Sequence, residues 1–380
     1  MTNTEFRSGL KIKDISIFNL WGKEKIYLSL DKQVTFLTGI NGSGKSSLLN
    51  IIYDSLILDP KKLRMPSTSK NRFWSSRCEF TNGFSVDTLV LPYSKSNNID
   101  MDELDELLKG NLSDIETIKK AQKIYYDAES EEQLTYISYD AQPKGEIWRK
   151  QHAFPNMEIE DSTLVRDQEP LAFLYQEDRV PLHATNESES DKYAFYKTIY
   201  RSSIDDRFLH IRSVIQAKES IYFKKLADIF SKVSPDKFYI NEIINSNEYL
   251  EASQKTEEIE HVVSLLNTYF ETSGKELVHD EDNKYTLALQ SDEDRTPISW
   301  NLLSRGEKTL IYLFFAVYHY KEKNKVFLLD EPDVSLHVSW QERLVKDLVS
   351  IAPNSQFIIA THSPSLVMKG WLPNCLELQV

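Results

Sequence analysis

The stretch "LTGINGSGKSSLL", Leu37–Leu49, decides how this chain is read. Three of its eleven glycines, Gly39, Gly42 and Gly44, fall within six positions, and Lys45, Ser46 and Ser47 follow at once. Gly39 to Ser46 fits the pattern G-x-x-x-x-G-K-[ST]. Glycine has no Cβ, so a backbone this bare can turn tightly and aim its N–H groups inward. Those groups form an anion nest, and a following helix adds the positive end of its dipole. In this pattern Lys45 reaches the β- and γ-phosphates of a nucleotide and Ser46 ligates Mg²⁺. Asn41, Ser43 and Ser47 complete the expected nucleotide contacts. ATP and Mg²⁺ are the expected cofactors.

The flanks agree with that reading. "LKIKDISIFNL" alternates apolar and polar residues, "KIYLSL" and "QVTFLTG" follow, and all three are expected strands. "SSLLNIIYDSLIL" is an expected helix, so the order is strand, glycine loop, helix. Further on, "KKLRMPSTSKNRFWSSR" (Lys61–Arg77) is polar and basic and is expected to be a loop. "CEFTNGFSVDTLVLPY" predicts a hairpin turning at Asn82-Gly83. Asp100–Gln133 is acidic and helical in pattern. "PLAFLYQEDR" (Pro170–Arg179) predicts a strand opening into a loop. Asp191–Phe270 has helical periodicity, and "KYTLALQ" predicts a strand. "SRGEKTLIYLFFAVYHYK" predicts a helix entered through a serine and apolar almost all round, hence buried. "KVFLLDEP" and "SQFIIATHSP" predict buried strands, with the amphipathic "QERLVKDLVSIAP" between them. Strands and helices alternate at both ends around a mixed middle, which indicates an α/β core with a helical insertion.

Composition bounds the function. The 380 residues carry a net charge of −13, with 58 acidic against 45 basic side chains. Such a balance argues against a broad basic surface for coating DNA. The two cysteines, Cys78 and Cys375, have no metal-ligand neighbours at zinc spacing, which suits a reducing compartment. "MTNTEFRSGLKIKD" lacks the apolar core of a signal peptide. The apolar run Leu310–Tyr318 is too short to span a bilayer. A cytoplasmic protein with no membrane contact is expected.

Val326-Phe327-Leu328-Leu329-Asp330-Glu331 places two adjacent carboxylates at the end of an apolar run, where ligands bind in parallel sheets. Asp330 is expected to hold Mg²⁺ and Glu331 to polarise the attacking water. Leu303-Ser304-Arg305-Gly306-Glu307-Lys308 then opens the long buried helix, offering a second helix N-terminus with free N–H groups.

With these residues in view, "LSRGEK" resembles the signature motif of ABC-type ATPases, in the form seen in RecF, SMC and related non-transporter members. "FLLDEPDVSLH" resembles their Walker B motif and D-loop, and "ATHSP" their switch-histidine segment. The resemblance covers about residues 10–60 and 296–368. Within the class, "DEPDVSLHVSWQ" and "IIATHSP" are most similar to stand-alone bacterial ATPases, including those of OLD-type nucleases and the PtuA and AriA ATPases of antiphage systems. It implies an α/β, ABC-type P-loop ATPase head with a mixed antiparallel β subdomain and an inserted helical lobe. The expected segments are 1–60 and 296–380 for the two halves of the core, with 61–165 and 166–295 as insertions.

The resemblance also implies roles. Two units meet head to tail, and Ser304 and Gly306 of one contact the γ-phosphate held by Lys45 of the other. His362 bonds the γ-phosphate in its own site, while Asp333 and Val334–His337 line the dimer interface. Gln176 occupies the place of a Q-loop glutamine that contacts Mg²⁺, although far downstream of Lys45. Arg305 stands where many transporters have glycine, and either adds charge beside the γ-phosphate or points to solvent. His337 either approaches the interface or starts a helix in solvent. Phe18 and Trp21 are candidates for the adenine platform or for core packing. Lys61, Lys62, Arg64, Lys70, Arg72 and Arg77, with Phe73 and Trp74, could grip nucleic acid, form a solvated loop or dock an acidic partner.

"LSRGEK" in place of "LSGGQ", and the wide separation of Lys45 from Ser304, argue against a transporter motor. The reading that follows is an ATP-gated homo-oligomeric switch. It would control a separately encoded effector, such as a nuclease, in antiphage defence. The alternative is a RecF-like repair ATPase that binds DNA directly.

Overall fold

A computed structural model describes residues 11–20, 23–56, 74–81, 85–91, 116, 120, 146–152, 172–176, 204–231, 245–322 and 325–378. Its strands are β1 (Ile12–Leu20), β2 (Lys23–Ser29), β3 (Val34–Thr38), β4 (Trp74–Phe80), β5 (Ser85–Leu91), β6 (Glu146–His152), β7 (Ala172–Gln176), β8 (Lys275–His279), β9 (Tyr285–Leu289), β10 (Val326–Asp330), β11 (Gln356–Ala360) and β12 (Cys375–Glu377). Its helices are α1 (Lys45–Leu56), α2 (Ile204–Ser231), α3 (Asn247–Phe270), α4 (Arg305–Tyr320), α5 (Val338–Ile351) and α6 (Pro364–Val367).

Two five-stranded sheets organise the molecule. One runs in the order β12-β3-β11-β10-β7 and is parallel throughout. Its strands VFLLD, QFIIA and AFLYQ are buried at every position, as expected of strands covered on both faces. The other, β2-β1-β4-β5-β6, is antiparallel. Buried Gln356 joins the two: its Oε1 accepts the Ile12 N–H at 2.8 Å and its Nε2 donates to the Ile12 and Leu30 carbonyls. The chain therefore has the α/β architecture expected, with an antiparallel subdomain and two long helices, α2 and α3.

Helix α4 is the spine of the core. Its aromatic residues reach in several directions: Tyr312 lies against Phe173 and Tyr175 of β7, Phe314 meets Tyr269 edge-on, and Phe315 packs on Tyr285 of β9. A helix apolar on every side has to be enclosed in this way. Its start is fixed by a complete capping box. The Ser304 side chain accepts from the Glu307 N–H, and the Glu307 side chain accepts from the Ser304 N–H. Lys275 of β8 closes on the same Glu307 carboxylate at 2.6 Å.

Two expectations need correction. Residues 74–77, assigned to a loop, belong to β4, where Ser75 and Ser76 are buried. Small polar residues in an interior strand give no apolar alternation to read. The strand β8, paired antiparallel to β9, was not anticipated either. The Asn82-Gly83 turn, Asp100–Gln133 apart from residues 116 and 120, and residues 191–203 lie outside the described residues.

Candidate functional site

All strands of the parallel sheet point the same way, so their carboxyl ends share one edge, and the candidate residues collect there. β3 ends at Thr38 and runs into the glycine loop. β7 ends on Gln176, β10 on Asp330, and β11 on Ala360, just before Thr361 and His362. Register aligns Asp330 with both Gln176 and Ala360. Residues remote in sequence thus become neighbours at a sheet end.

The loop has the conformation its glycines permit. Gly39, Gly42 and Gly44 have φ of 144°, 82° and 87°. A Cβ on Gly39 would stand 2.9 Å from the carbonyl oxygen of Leu378, the residue after the edge strand β12, so this close approach also requires glycine there. Helix α1 follows directly, with Leu48 N–H donating to the Gly44 carbonyl at 2.9 Å. Asn41 is exposed on the loop, and Ser47 lies in the first turn of α1. Ser43 is buried within the loop, and its hydroxyl has no hydrogen-bond partner among the described residues.

The charged side chains satisfy one another. Lys45 Nζ donates to the Gly39 and Ile40 carbonyls at 3.2 and 3.3 Å and lies 2.6 Å from His362 Nε2. Burial lowers the pKa of Lys45, opposed by Glu331 and Asp330. Burial, with Lys45 beside it, also lowers that of His362, so its imidazole is neutral at pH 7 and can accept from the ammonium. Ser46 Oγ donates to Asp330 Oδ1 at 3.0 Å, and Gln176 Nε2 donates to Asp330 Oδ2 at 3.1 Å. A hydroxyl, a carboxylate and an amide converge here. This hard-oxygen set fits Mg²⁺, which is commonly held by one or two protein groups plus phosphate and water. Among the described residues no group of three or more His, Cys, Asp or Glu could hold a metal unaided.

Glu331 sits where a water-activating carboxylate would be wanted. Its φ of 49° is left-handed, an uncommon conformation for a residue with a Cβ and a cost of about 1–2 kcal/mol. Burial, aided by Asp333 and Asp330, raises its pKa to about 6, against the His362 N–H and Lys45. Its Oε2 accepts from the His362 N–H at 3.2 Å.

The signature segment is built differently. Ser304 and Arg305 are exposed at the start of α4, and Leu302 beside them is 73% exposed. Gly306 is buried, and a Cβ there would stand 2.5 Å from the carbonyl oxygen of Ser335, itself at φ 69°. Gly306 therefore has a reason to be glycine inside a single chain: it lets the D-loop backbone approach. The motif resemblance gives this glycine only a phosphate contact across a dimer. His337 is the N-cap of α5, its Nδ1 accepting from the Ser339 N–H at 3.3 Å. Val334 and Val338, on either side of it, are exposed.

The weaker candidates divide. Gln176 lies inside the cluster. Phe18 is buried, with the Lys25 ammonium 5.6 Å from its ring centroid, and Trp21 is outside the described residues. Of the basic-aromatic cluster, Arg77 is in β4 and ion-pairs with Glu79 at 3.2 Å, and Trp74 begins that strand. The remainder, Lys61, Lys62, Arg64, Lys70, Arg72 and Phe73, lies outside the described residues. Sequence reasoning missed Thr361, whose hydroxyl donates to buried Asp333 at 2.8 Å, and Gln341 and Ser363 next to it. Thr361 stood within a quoted motif, but nothing local in the sequence pairs it with Asp333.

A glycine loop entering a helix, beside an Asp-Glu strand end in a parallel sheet, defines a P-loop ATPase. The chain matches the AAA ATPase domain family over residues 10–367 and belongs to it. It is similar to the probable ATPase of retron Vc95 from Vibrio cholerae serotype O1 biovar El Tor, 26% identical over 93% of this chain and 71% of that protein. It is also similar to the probable ATPase of retron Ec83 from Escherichia coli, 24% identical over 94% of this chain and 69% of that protein. A shorter similarity, 29% identity over 22% of this chain and 24% of the relative, links it to the Septu protein PtuA of Bacillus thuringiensis. Among solved structures it is similar to an Smc head domain with an extended coiled coil, bound to the C-terminal domain of ScpA, from Pyrococcus furiosus. There the TM-score is 0.45 and the identity 14%, over 97% of this chain and 94% of that one. Among the described residues no helix is long and apolar enough to cross a membrane.

Proposed function

We propose that this protein is an ATP-hydrolysing switch that closes head to tail on a second copy around ATP and controls a separate effector in antiphage defence. The observation that carries the reading is the meeting of Lys45, Ser46, Gln176, Asp330, Glu331 and His362 at one sheet edge. The similarity to retron and Septu proteins supports the defence setting, and a separately encoded partner such as a nuclease is what the resemblance to antiphage ATPases implies.

In this reading the contacts now made among the side chains are the ones that nucleotide replaces. Lys45 leaves His362 for the β- and γ-phosphates, and the N–H groups of Gly39–Gly44 surround them. Ser46, Asp330 and Gln176 would hold Mg²⁺. When bound, the ion would neutralise charge on the phosphate oxygens. Glu331, ionised above about pH 6, takes a proton from water as its oxygen attacks the γ-phosphorus and the bond to the bridging oxygen breaks. His362, freed from Lys45, bonds the γ-phosphate. Ser304 and Gly306 of the second copy complete the site from the other side, so only the ATP state favours closure.

The test is phosphate release from ATP by the purified chain and by its Glu331→Gln variant. Mg²⁺-dependent release by the wild type, at least ~100-fold slower in the variant with ATP binding retained, is expected. Equal rates from the two proteins would overturn the assignment of Glu331.

A further inference from the structure

The loop carrying His362 and the D-loop are joined by side chains of which the motif roles above use only Asp333. Asp333, 5% exposed, accepts the Thr361 hydroxyl at Oδ1, 2.8 Å away. The same Thr361 Oγ1 accepts the Ser363 N–H at 2.9 Å. Ser363 Oγ donates to Gln341 Oε1 at 2.7 Å. Gln341 Nε2 then returns to the D-loop, donating to the Leu336 carbonyl at 3.0 Å and the Asp333 carbonyl at 3.3 Å. The ring of bonds is closed, and it uses both donor positions and one of the two acceptor lone pairs of the Gln341 amide.

The D-loop between those two carbonyls is held from its other side as well. Ser335, at φ 69°, turns its carbonyl onto Gly306, where no Cβ fits. The loop thus lies between the signature helix and the Gln341 amide, and its position follows whichever of them moves. Gln341 is rooted in the first turn of α5, its own N–H bonded to the His337 carbonyl at 3.1 Å. It is a fixed post against which Ser363, and with it the segment carrying His362, is referenced.

We propose that Gln341 is a positioning residue that, through Ser363, couples the nucleotide state sensed by His362 to the placement of the D-loop, Asp333–Leu336. Gln341 touches no phosphate itself. When His362 turns from Lys45 to a γ-phosphate, residues 361–363 shift, and the Ser363–Gln341–Leu336 bonds carry that shift to the backbone facing Gly306. The inference rests on the ATP-switch reading above.

Hydrogen exchange on the full chain tests it, with and without Mg-AMPPNP as the probe, in wild type, Gln341→Leu and Gln341→Glu. Leucine removes every bond of the amide. Glutamate keeps an acceptor for Ser363 but loses both donors to the D-loop. In wild type, nucleotide is expected to slow exchange in Gly39–Ser46, in 361–363 and in 333–336. In both variants the first two segments should respond as in wild type, and the response of 333–336 should fall at least ~5-fold. The KM for ATP should stay within about twofold while kcat drops about tenfold, a split that loss of the folded site would not give. A D-loop response in either variant equal to wild type overturns the coupling. Loss of the response in all three segments also overturns it, since Gln341 would then only support the fold. Absence of protection at Gly39–Ser46 in the wild type would sink the ATP reading itself, and this inference with it.

Discussion

The phosphate loop and the signature helix both present a helix N-terminus, yet they are finished in opposite ways. At the loop, polar side chains are borrowed from one another: Lys45 leans on His362, and Ser46 and Gln176 on Asp330. Lys45, His362 and Glu331 all have displaced pKa values, and Glu331 sits on strained backbone. At the signature, Ser304 is satisfied by Glu307, which Lys275 pairs in turn inside the same chain, with an exposed face beside it. The first region stores unfavourable terms that a ligand can relieve. The second is at rest and offers a surface. This is the contrast expected between a site and the half-site that completes another copy's.

Several changes would break or sharpen that contrast. Lys45→Ala should have the largest effect, weakening ATP binding at least ~100-fold by calorimetry, because a charged donor to two phosphates is worth about 3 kcal/mol or more. Unchanged affinity would mean that the loop is not the nucleotide site.

Glu331→Gln separates chemistry from stability. The folded-state pKa of Glu331 is raised from 4.5 to about 6, so burial of its charge opposes folding above that pH. Its contribution to stability is most favourable below about pH 4.5 and is lost as pH rises through about 6. The glutamine variant should therefore be more stable than wild type by on the order of 1 kcal/mol at pH 8 and about equal to it at pH 4, in denaturant melts. Wild-type kcat/KM should fall about tenfold per unit as pH drops below about 6, since the carboxylate of the free protein is then protonated. A flat rate between pH 5 and 8 would contradict its role as base.

On the signature side the effects should be structural and smaller. Gly306→Ala forces a Cβ against the Ser335 carbonyl and should cost about 1–3 kcal/mol in unfolding free energy. Ser304→Ala removes the cap hydroxyl and should cost about 1 kcal/mol, with ATP affinity of the isolated chain unchanged. A large loss of affinity from Ser304→Ala would erase the distinction between the two regions.

Much of this was legible because the chemistry is contiguous. The glycine loop, the Asp330-Glu331 strand end and the capped start of α4 each declare themselves within about ten residues, and periodicity gave the buried strands around them. Gln176 was harder: it reaches Asp330 only because β7 and β10 pair in register, a fact of sheet order rather than of local pattern. The Asp333–Thr361–Ser363–Gln341 ring was invisible for the same reason, since its hydrogen bonds join D-loop, α5 and the segment after β11. In the motif Gly306 points to a partner, yet its own chain already requires glycine there. Residues 74–77 misled because buried serines look like a loop.

The most direct test of the central claim is the solution mass of the Glu331→Gln chain with and without Mg-ATP. This variant should retain ATP and remain closed. The account predicts that the mass doubles when ATP is added and stays single when Ser304→Ala and Gly306→Ala are introduced into the same chain. ATP bound at Lys45 with no change in mass would contradict it.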